Sequence, residues 1–387
     1  MCAIDGQDES EPRGASFFNG NARSLGAGGL VGGARDHARG YGGHRHLLEA
    51  EHILEGRFEL VLANAAHIRN VPGRKNDVND AVWISDLLAH GLIRASFVPP
   101  GRIQDVRDLT RTRTQLAREV AQHIQRIQKA LESSNIKLTS VISNIVGTSG
   151  RRILKAMIAG ETNATKLAEL GSTRLKCPRT ELVAALDGRV TAHHRFLIAH
   201  HLGLIEELER HIADFDARIE ELLAPFRDTV ARLITIPGVS RVSAEVILAE
   251  IGSDMTPFPT AGHLLSWAGL VPRLDESAGK RRSTRVRKGA PWLKPVLVQC
   301  AWGAARTKGT YYQAQFFRLK SRRGPKKAAI AVAASLLMAT YHMLKDGTFH
   351  QDLGADFLVK RDKARIAARL AKRIKDLGYD VSFAAAD

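Results

Sequence analysis

Asp77 and Asp80 stand three residues apart in the stretch GRKNDVNDAVWISDLLAHGLIRASFVPP, residues 73–100. Positions i and i+3 share one face of a helix, so the two carboxylates can hold a divalent cation between them. The same pair also suits the positive end of a helix dipole, a role that needs no metal. A second chemical candidate lies far along the chain, where Glu276-Ser277-Ala278-Gly279-Lys280-Arg281-Arg282 sets a serine on a turn of small residues beside three cations. There Ser277 could act as a nucleophile, the cations offsetting charge that develops on a phosphate. The alternative reading is a phosphate-binding contact.

Elements must position these groups. Phe58–Ala63 is a short apolar run suited to a buried strand, followed by a basic Gly-Arg-Lys turn and then by the helix that carries Asp77 and Asp80. That helix stops at a glycine before an extended Ser96–Pro100. A strand, turn and helix with acids at the junction predict α/β architecture. Over 103–133, Val106, Leu109, Leu116, Val120, Ile124, Ile127 and Leu131 recur at three- and four-residue steps. They predict a long amphipathic helix suited to a coiled-coil arm. Arg107, Arg111, Arg118, Arg126 and Lys129 on its other face are either solvated or set against phosphates. A second helical region spans about 190–230 and could return antiparallel to the first.

Residues 233–252, LITIPGVSRVSAEVILAEIG, place a Pro-Gly-Val turn between apolar helical stretches. This is either half of a helix-hairpin-helix, whose turn amides can meet a phosphate, or an ordinary helix-helix turn. From 273 to 327 there are sixteen Lys or Arg residues against Asp275 and Glu276 alone. Trp292, Trp302, Tyr311, Tyr312, Phe316 and Phe317 interleave with them, a mixture that suits nucleic-acid contact. Some of these rings must be core.

The formal charge of +17 points to a polyanionic partner. Cys2, Cys177 and Cys300 are too few and too scattered for a disulfide framework or a cysteine zinc site, which fits a reducing cytosol. The N-terminus has no signal-peptide pattern. Residues 328–344 are apolar but short and Ala-rich, and read as a buried core helix rather than a membrane span. A soluble, cytoplasmic protein is expected.

The segment 73–100, LITIPGVSRVSAEVILAEIG, FPTAGHLLSWAGLVPR and ESAGKRRSTRVRKG occur in that order. Together they resemble the insertion-sequence transposases whose N-terminal domain is of the DEDD, RuvC-like (ribonuclease H-like) type related to the Piv invertases. The resemblance covers roughly residues 52–350. It implies a truncated or disrupted RuvC-like domain, a helical coiled-coil arm and a mainly helical C-terminal serine transposase domain, hence α/β plus mostly α. It implies a recombinase assembled on a structured guide RNA, the bridge RNA, that acts on DNA as a dimer or tetramer. Asp77 and Asp80 would be the last two acids of the DEDD set and Asp5 the first, together holding Mg2+ or Mn2+. Ser277 would attack a DNA phosphodiester and form a phosphoserine link, with Ser283 the nearby alternative. Arg74, Lys75, Lys280, Arg281, Arg282, Arg285, Arg287 and Lys288 would bind the nucleic-acid backbone.

The N-terminus departs from the family pattern. Eleven of the 33 glycines fall in residues 1–50, which contain no Lys and no Trp. The family's Glu motif, resembling M-E-x-T-G-x-Y-W, is missing, and GYGGHRHLLEA, residues 40–50, stands in its place. Codons can be chosen for Tyr41–Ala50 that, read one base later, give MEATGIYWK. Residues from just after Asp5 to about Ala50 are therefore expected to be out of frame relative to the family. A Gly-rich replacement buries less apolar surface, and a site left with two or three carboxylates binds Mg2+ weakly. The expected division is 1–50, irregular; 51–102, RuvC-like remnant; 103–230, helical arm; 231–350, C-terminal domain; and 351–387, basic helical tail. The expected function is a transposase with DNA recombination chemistry. The alternative is an impaired remnant that keeps only nucleic-acid binding. A structure-specific nuclease using the acidic site alone leaves the basic serine segment without a role.

Overall fold

The computed structural model describes residues 2–4, 16–17, 59–61, 86–93, 97–272, 275–277, 280–283, 285–287, 289–361 and 363–380. They fall in two compact units, Met1–Val98 and Pro99–Asp387.

In the first unit, β1 (Cys2–Ile4) lies between β2 (Ser16–Phe17) and β3 (Glu59–Val61), antiparallel to both. The strand expected at Phe58–Ala63 is present as β3. These three short strands do not by themselves establish a RuvC-like sheet. Residues 86–89 form the last helical turn before a glycine stop. Gly91 has φ +65°, and its N–H and that of Leu92 return to Leu88 O and Leu87 O. This is the left-handed residue that commonly ends a helix. Asp5, Arg74, Lys75, Asp77 and Asp80 lie outside the described residues.

The second unit begins with α1 (Gly101–Ser133), entered through Pro100, which needs no N–H partner at a helix start. Four short helices follow: α2 (Leu138–Val141), α3 (Thr148–Ile158), α4 (Ala164–Glu169) and α5 (Arg179–Ala185). The chain returns along α6 (Ala192–Leu222), whose start is closed by a capping box between Thr191 and His194. Arg113 pairs with Asp216, His123 Nδ1 lies 3.2 Å from His201 Nδ1, and Arg189 N–H donates to Ser134 O at 2.9 Å. Partners descend on α6 as they rise on α1, so the two helices run antiparallel as expected. The short helices close the far end of this hairpin around Ile127, Leu131, Ile153, Leu154, Met157 and Ile198. No sequence period announced this lobe.

The rest of the unit is helical apart from a β-hairpin. It contains α7 (Arg227–Ile234), α8 (Arg241–Ile251), α9 (Ala261–Trp267), α10 (Leu293–Ala304), α11 (Tyr311–Arg323) and α12 (Pro325–Asp346). Two shorter basic helices follow, α13 (Phe357–Arg361) and α14 (Lys363–Lys375). By length and composition α12 could cross a bilayer. Its apolar character is accounted for by packing: Val332, Leu336, Leu337 and Tyr341 are buried, and Tyr341 OH donates to Phe258 O at 2.9 Å.

One buried charge cluster joins the arm to this bundle. Arg107, 7% exposed, donates from Nε to Ala249 O at 3.1 Å and from a terminal nitrogen to Glu250 O at 2.6 Å. It thereby satisfies carbonyls at the C-terminal end of α8, where a cation is favoured by the helix dipole. Arg111 forks onto both carboxylate oxygens of Glu250, which is 2% exposed, at 2.7 and 2.9 Å. A phosphate-binding role for Arg107 and Arg111, one of the readings of this basic face, is corrected here: both guanidinium groups are committed to α8.

Replacing Glu250 by Ala removes the carboxylate that Arg111 forks onto and that lies 3.8 Å from Arg107. Loss of one partner of a buried pair costs about 3–5 kcal/mol, and urea titration of the full chain should show a drop of that order. The histidine pair predicts a pH effect. Burial, then Arg126, lowers the pKa of His123, while burial, His123 and Arg126 lower that of His201. As pH falls through the unfolded value of about 6.5 the unfolded chain takes up protons first, so stability present above that pH is lost below it. Glu119 opposes this shift at His123 and His200 adds to it. The variant His123→Gln should show a shallower stability loss between pH 7 and 5 than the wild type.

Candidate functional site

The segment carrying the candidate serine forms an antiparallel hairpin of β4 (Asp275–Ser277) and β5 (Lys280–Ser283). Its register sets Ser277 opposite Lys280, Glu276 opposite Arg281 and Asp275 opposite Ser283, with an irregularity between Asp275 and Glu276. Ala278 and Gly279, the two connecting residues, lie outside the described set. A further bridge pairs Pro272 with Val286 below the strands. Ser277 thus stands at the turn end of the ladder, across from a lysine.

Close backbone contact fixes the base of this hairpin. Gly269, ending the α9 segment, and Gly289, leaving the hairpin, have φ +69° and +61°. A Cβ on Gly289 would lie 2.2 Å from Ala268 O, and one on Gly269 would lie 2.5 Å from the Gly289 Cα. Both the dihedral and the space demand glycine. Lys294, on the first turn of α10, then donates from Nζ to Gly269 O at 2.9 Å and Arg287 O at 2.8 Å, tying the two chain crossings together. Burial lowers its pKa.

Ser283 is engaged locally: its Oγ accepts the N–H of Arg285 at 3.1 Å. Arg285 and Arg287 are exposed. For Lys280, Arg281, Arg282 and Lys288 the side chains lie outside the described set. Trp292, just beyond Gly289, is overlain by Arg111 at 5.7 Å and by Arg118 at 5.3 Å, both from α1. This cation–π stack gives the arm and the hairpin base a common neighbour. Trp292 is half-buried under these two guanidinium groups while Arg118 itself stays exposed, and the structure buries Tyr312 and Phe316.

The Pro-Gly-Val turn between α7 and α8 rests on α10. Gly238 has φ +85°, and a Cβ there would lie 2.4 Å from both Cys300 O and Ala304 N. That contact accounts for the glycine without a phosphate. Among the described residues, no group of three or more His, Cys, Asp or Glu is arranged to hold a metal ion. Lys294 and Glu250 were not singled out from the sequence. The glycines at 269 and 289, which lie within the FPTAGHLLSWAGLVPR and ESAGKRRSTRVRKG segments, were the available signal for the crossing.

Two family models match the chain. One, described as "Transposase IS116/IS110/IS902 family", matches residues 230–316. The other, described as "Transposase" and of the IS110 DEDD type, matches residues 39–136. An insertion element IS110 uncharacterized 43.6 kDa protein of Streptomyces coelicolor is 35% identical over 126 residues, 31% of this chain and 29% of that protein. A transposase for insertion sequence element IS1328 of Yersinia enterocolitica is 24% identical over 254 residues, 65% of this chain and 66% of that protein. An insertion element IS900 uncharacterized 42 kDa protein of Mycobacterium paratuberculosis is 23% identical over 331 residues, covering 74% and 79% respectively. The match therefore spans under a third of the first relative and about two thirds of the second.

The crossing beneath the hairpin yields a mutational expectation. Gly289→Ala should destabilise the chain by at least about 2 kcal/mol through overpacking and an unfavourable positive φ. Lys294→Met should lower stability by about 1–3 kcal/mol by leaving carbonyls unpaired. Thermal denaturation of both variants checks this, and an unchanged midpoint for Gly289→Ala would contradict the crossing.

Proposed function

We propose that this chain, which carries the two domains of the IS110-family transposases, moves its insertion sequence by cutting and rejoining DNA strands at the β4–β5 hairpin. The observation that carries the proposal is the placement of Ser277 at the end of that hairpin, opposite Lys280, inside the span matched to the transposase family. Ser277 Oγ would attack a backbone phosphorus. The new Oγ–P bond replaces one P–O bond to a deoxyribose, the hydroxyl proton passes to a base, and the departing sugar oxygen is protonated. One phosphate ester is exchanged for another, so the link can be passed to a second strand without a nucleotide triphosphate. Cations in this segment would offset the added charge on the phosphate. The engagement of Ser283 in its own turn supports Ser277 over Ser283 as the nucleophile.

The DEDD half of the site is carried by the resemblance. Asp5, Asp77 and Asp80 would hold Mg2+ or Mn2+, which would polarise a phosphate oxygen. Arg74 and Lys75 would steady the backbone beside it. A structured guide RNA and a dimer or tetramer complete this reading, with the protein acting in the cytoplasm. Residues 6–50 are read as out of frame relative to the family, which would remove the Glu of the acidic set and impair catalysis without removing nucleic-acid binding.

Incubating the full chain with donor DNA, target DNA and cognate RNA, alongside a version with the frame restored over residues 6–50, tests both statements. Strand exchange is expected from the restored chain, with little or none from this one. A protein–DNA adduct should vanish in Ser277→Ala and persist in Ser283→Ala; an adduct that survives Ser277→Ala removes Ser277 as nucleophile. The coding DNA of Tyr41–Ala50, read one base later, should encode the Glu motif. A coding sequence without it rejects the frame proposal.

A further inference from the structure

The corner between α11 and α12 carries charge that helix stability does not explain. Lys320, Arg322 and Arg323 in the last turn of α11 suit the negative end of its dipole. Beyond Gly324, Lys326 and Lys327 occupy the first turn of α12, where the dipole disfavours positive charge. All five cations are exposed, and none forms an ion pair among the described residues. No Asp or Glu lies anywhere between Glu276 and Asp346. Five uncompensated cations within eight residues repel one another, and this arrangement is relieved by an anion. The N-terminus of a long helix with two lysines on its first turn is also a favourable place for a phosphate.

A ring stands beside this charge. Phe317 is 52% exposed, and Trp302 on α10 is 37% exposed. The buried Phe316 lies between them, its ring centre 5.3 Å from that of Trp302 and 5.5 Å from that of Phe317, both edge-to-face. Phe317 is thus braced from beneath. Along its own helix face its neighbours are Gln313, Ala314, Lys320 and Ser321; Ala314 and Ser321 are small, and about half of the Phe317 surface stays open to solvent. Lys320 Nζ sits 5.5 Å from the ring centre. At 1.5 Å rise per residue, Phe317 lies about 10 Å along the helix from Gly324, a span of one to two nucleotides. A single exposed phenylalanine needs no explanation. One backed by the buried Phe316, which itself packs on Trp302, and flanked by exposed cations matches the stacking platform and charged track of single-strand binding proteins.

We propose that the α11–α12 corner binds unpaired nucleic acid, with a base stacked on Phe317 and the adjoining phosphates held by Lys326, Lys327 and the start of α12. This rests on nucleic acid being the partner of the chain, but it names a surface separate from the serine hairpin and a preference for single strands. DNA and RNA share the chemistry.

The test is fluorescence anisotropy of the full chain with labelled 20-mers of deoxythymidine and of uridine, and with a 20-base-pair duplex. Phe317→Ala should weaken single-strand binding by about 5- to 150-fold, with duplex affinity changed less than about twofold. Phe317→Tyr, which keeps a ring, should restore it. Replacing Lys326 and Lys327 by Gln should lower the salt-dependence slope for single strands by about 1.4. Loss on the uridine strand alone, or on the deoxythymidine strand alone, would support the site and name its source. Equal weakening of duplex and single strands by Phe317→Ala, or no weakening, overturns the proposal and leaves the transposase reading standing. A wild-type chain that binds duplex but not single strands does the same. A wild-type chain that binds neither overturns both.

Discussion

The bidentate pair between Arg111 and Glu250, with Arg107 on the adjoining carbonyls, is the constraint on which the second unit depends. A carboxylate this deeply buried is stable only while its charge and lone pairs are answered. That requirement holds the root of α1 against the end of α8. Because Arg111 also overlies Trp292, the end of α8 and the base of the hairpin are linked to the arm through one guanidinium group, with Arg118 stacking on the same ring. Displacing the arm would expose a buried charge and an aromatic face together.

The hairpin is held by a different kind of force. Gly269 and Gly289 let two backbones approach more closely than any side chain permits, and Lys294 fastens the crossing by donating to carbonyls of both strands. The strands above it are short and Ser277 stands at their turn end. The root of the hairpin is thereby set by backbone contact rather than by side-chain packing. The same economy is seen at Gly238, where the turn between α7 and α8 lies flat on α10.

Long periodic elements were legible in the sequence. The helix read over 103–133 is found at 101–133, the apolar run at 328–344 lies within a half-buried helix at 325–346, and the Phe58–Ala63 run contains β3. The lobe from Leu138 to Ala185 was not legible, because helices of four to eleven residues are too short to show a period and are defined by burial against Ile127, Leu131 and Ile198. The arginine face of α1 was read as solvated or phosphate-binding. Its root proved to be internal because Glu250, 139 positions away from Arg111, has no local signature that pairs it with that helix.

The sequence alone determined the chemical inventory: a strongly basic chain, two spaced aspartates, a serine on a cation-rich turn, and a family resemblance carried by four ordered segments. Those are properties of residue type and spacing along the chain. The tertiary structure alone decided which cations are committed and which are free to meet a partner. Arg107 and Arg111 are consumed by Glu250, whereas Lys326 and Lys327 face solvent against the dipole of their own helix. In sequence these residues look alike, since each is a positive charge on a helix. They differ because an ion's free energy depends on the charges and dielectric around it, and those are set by segments brought together only on folding.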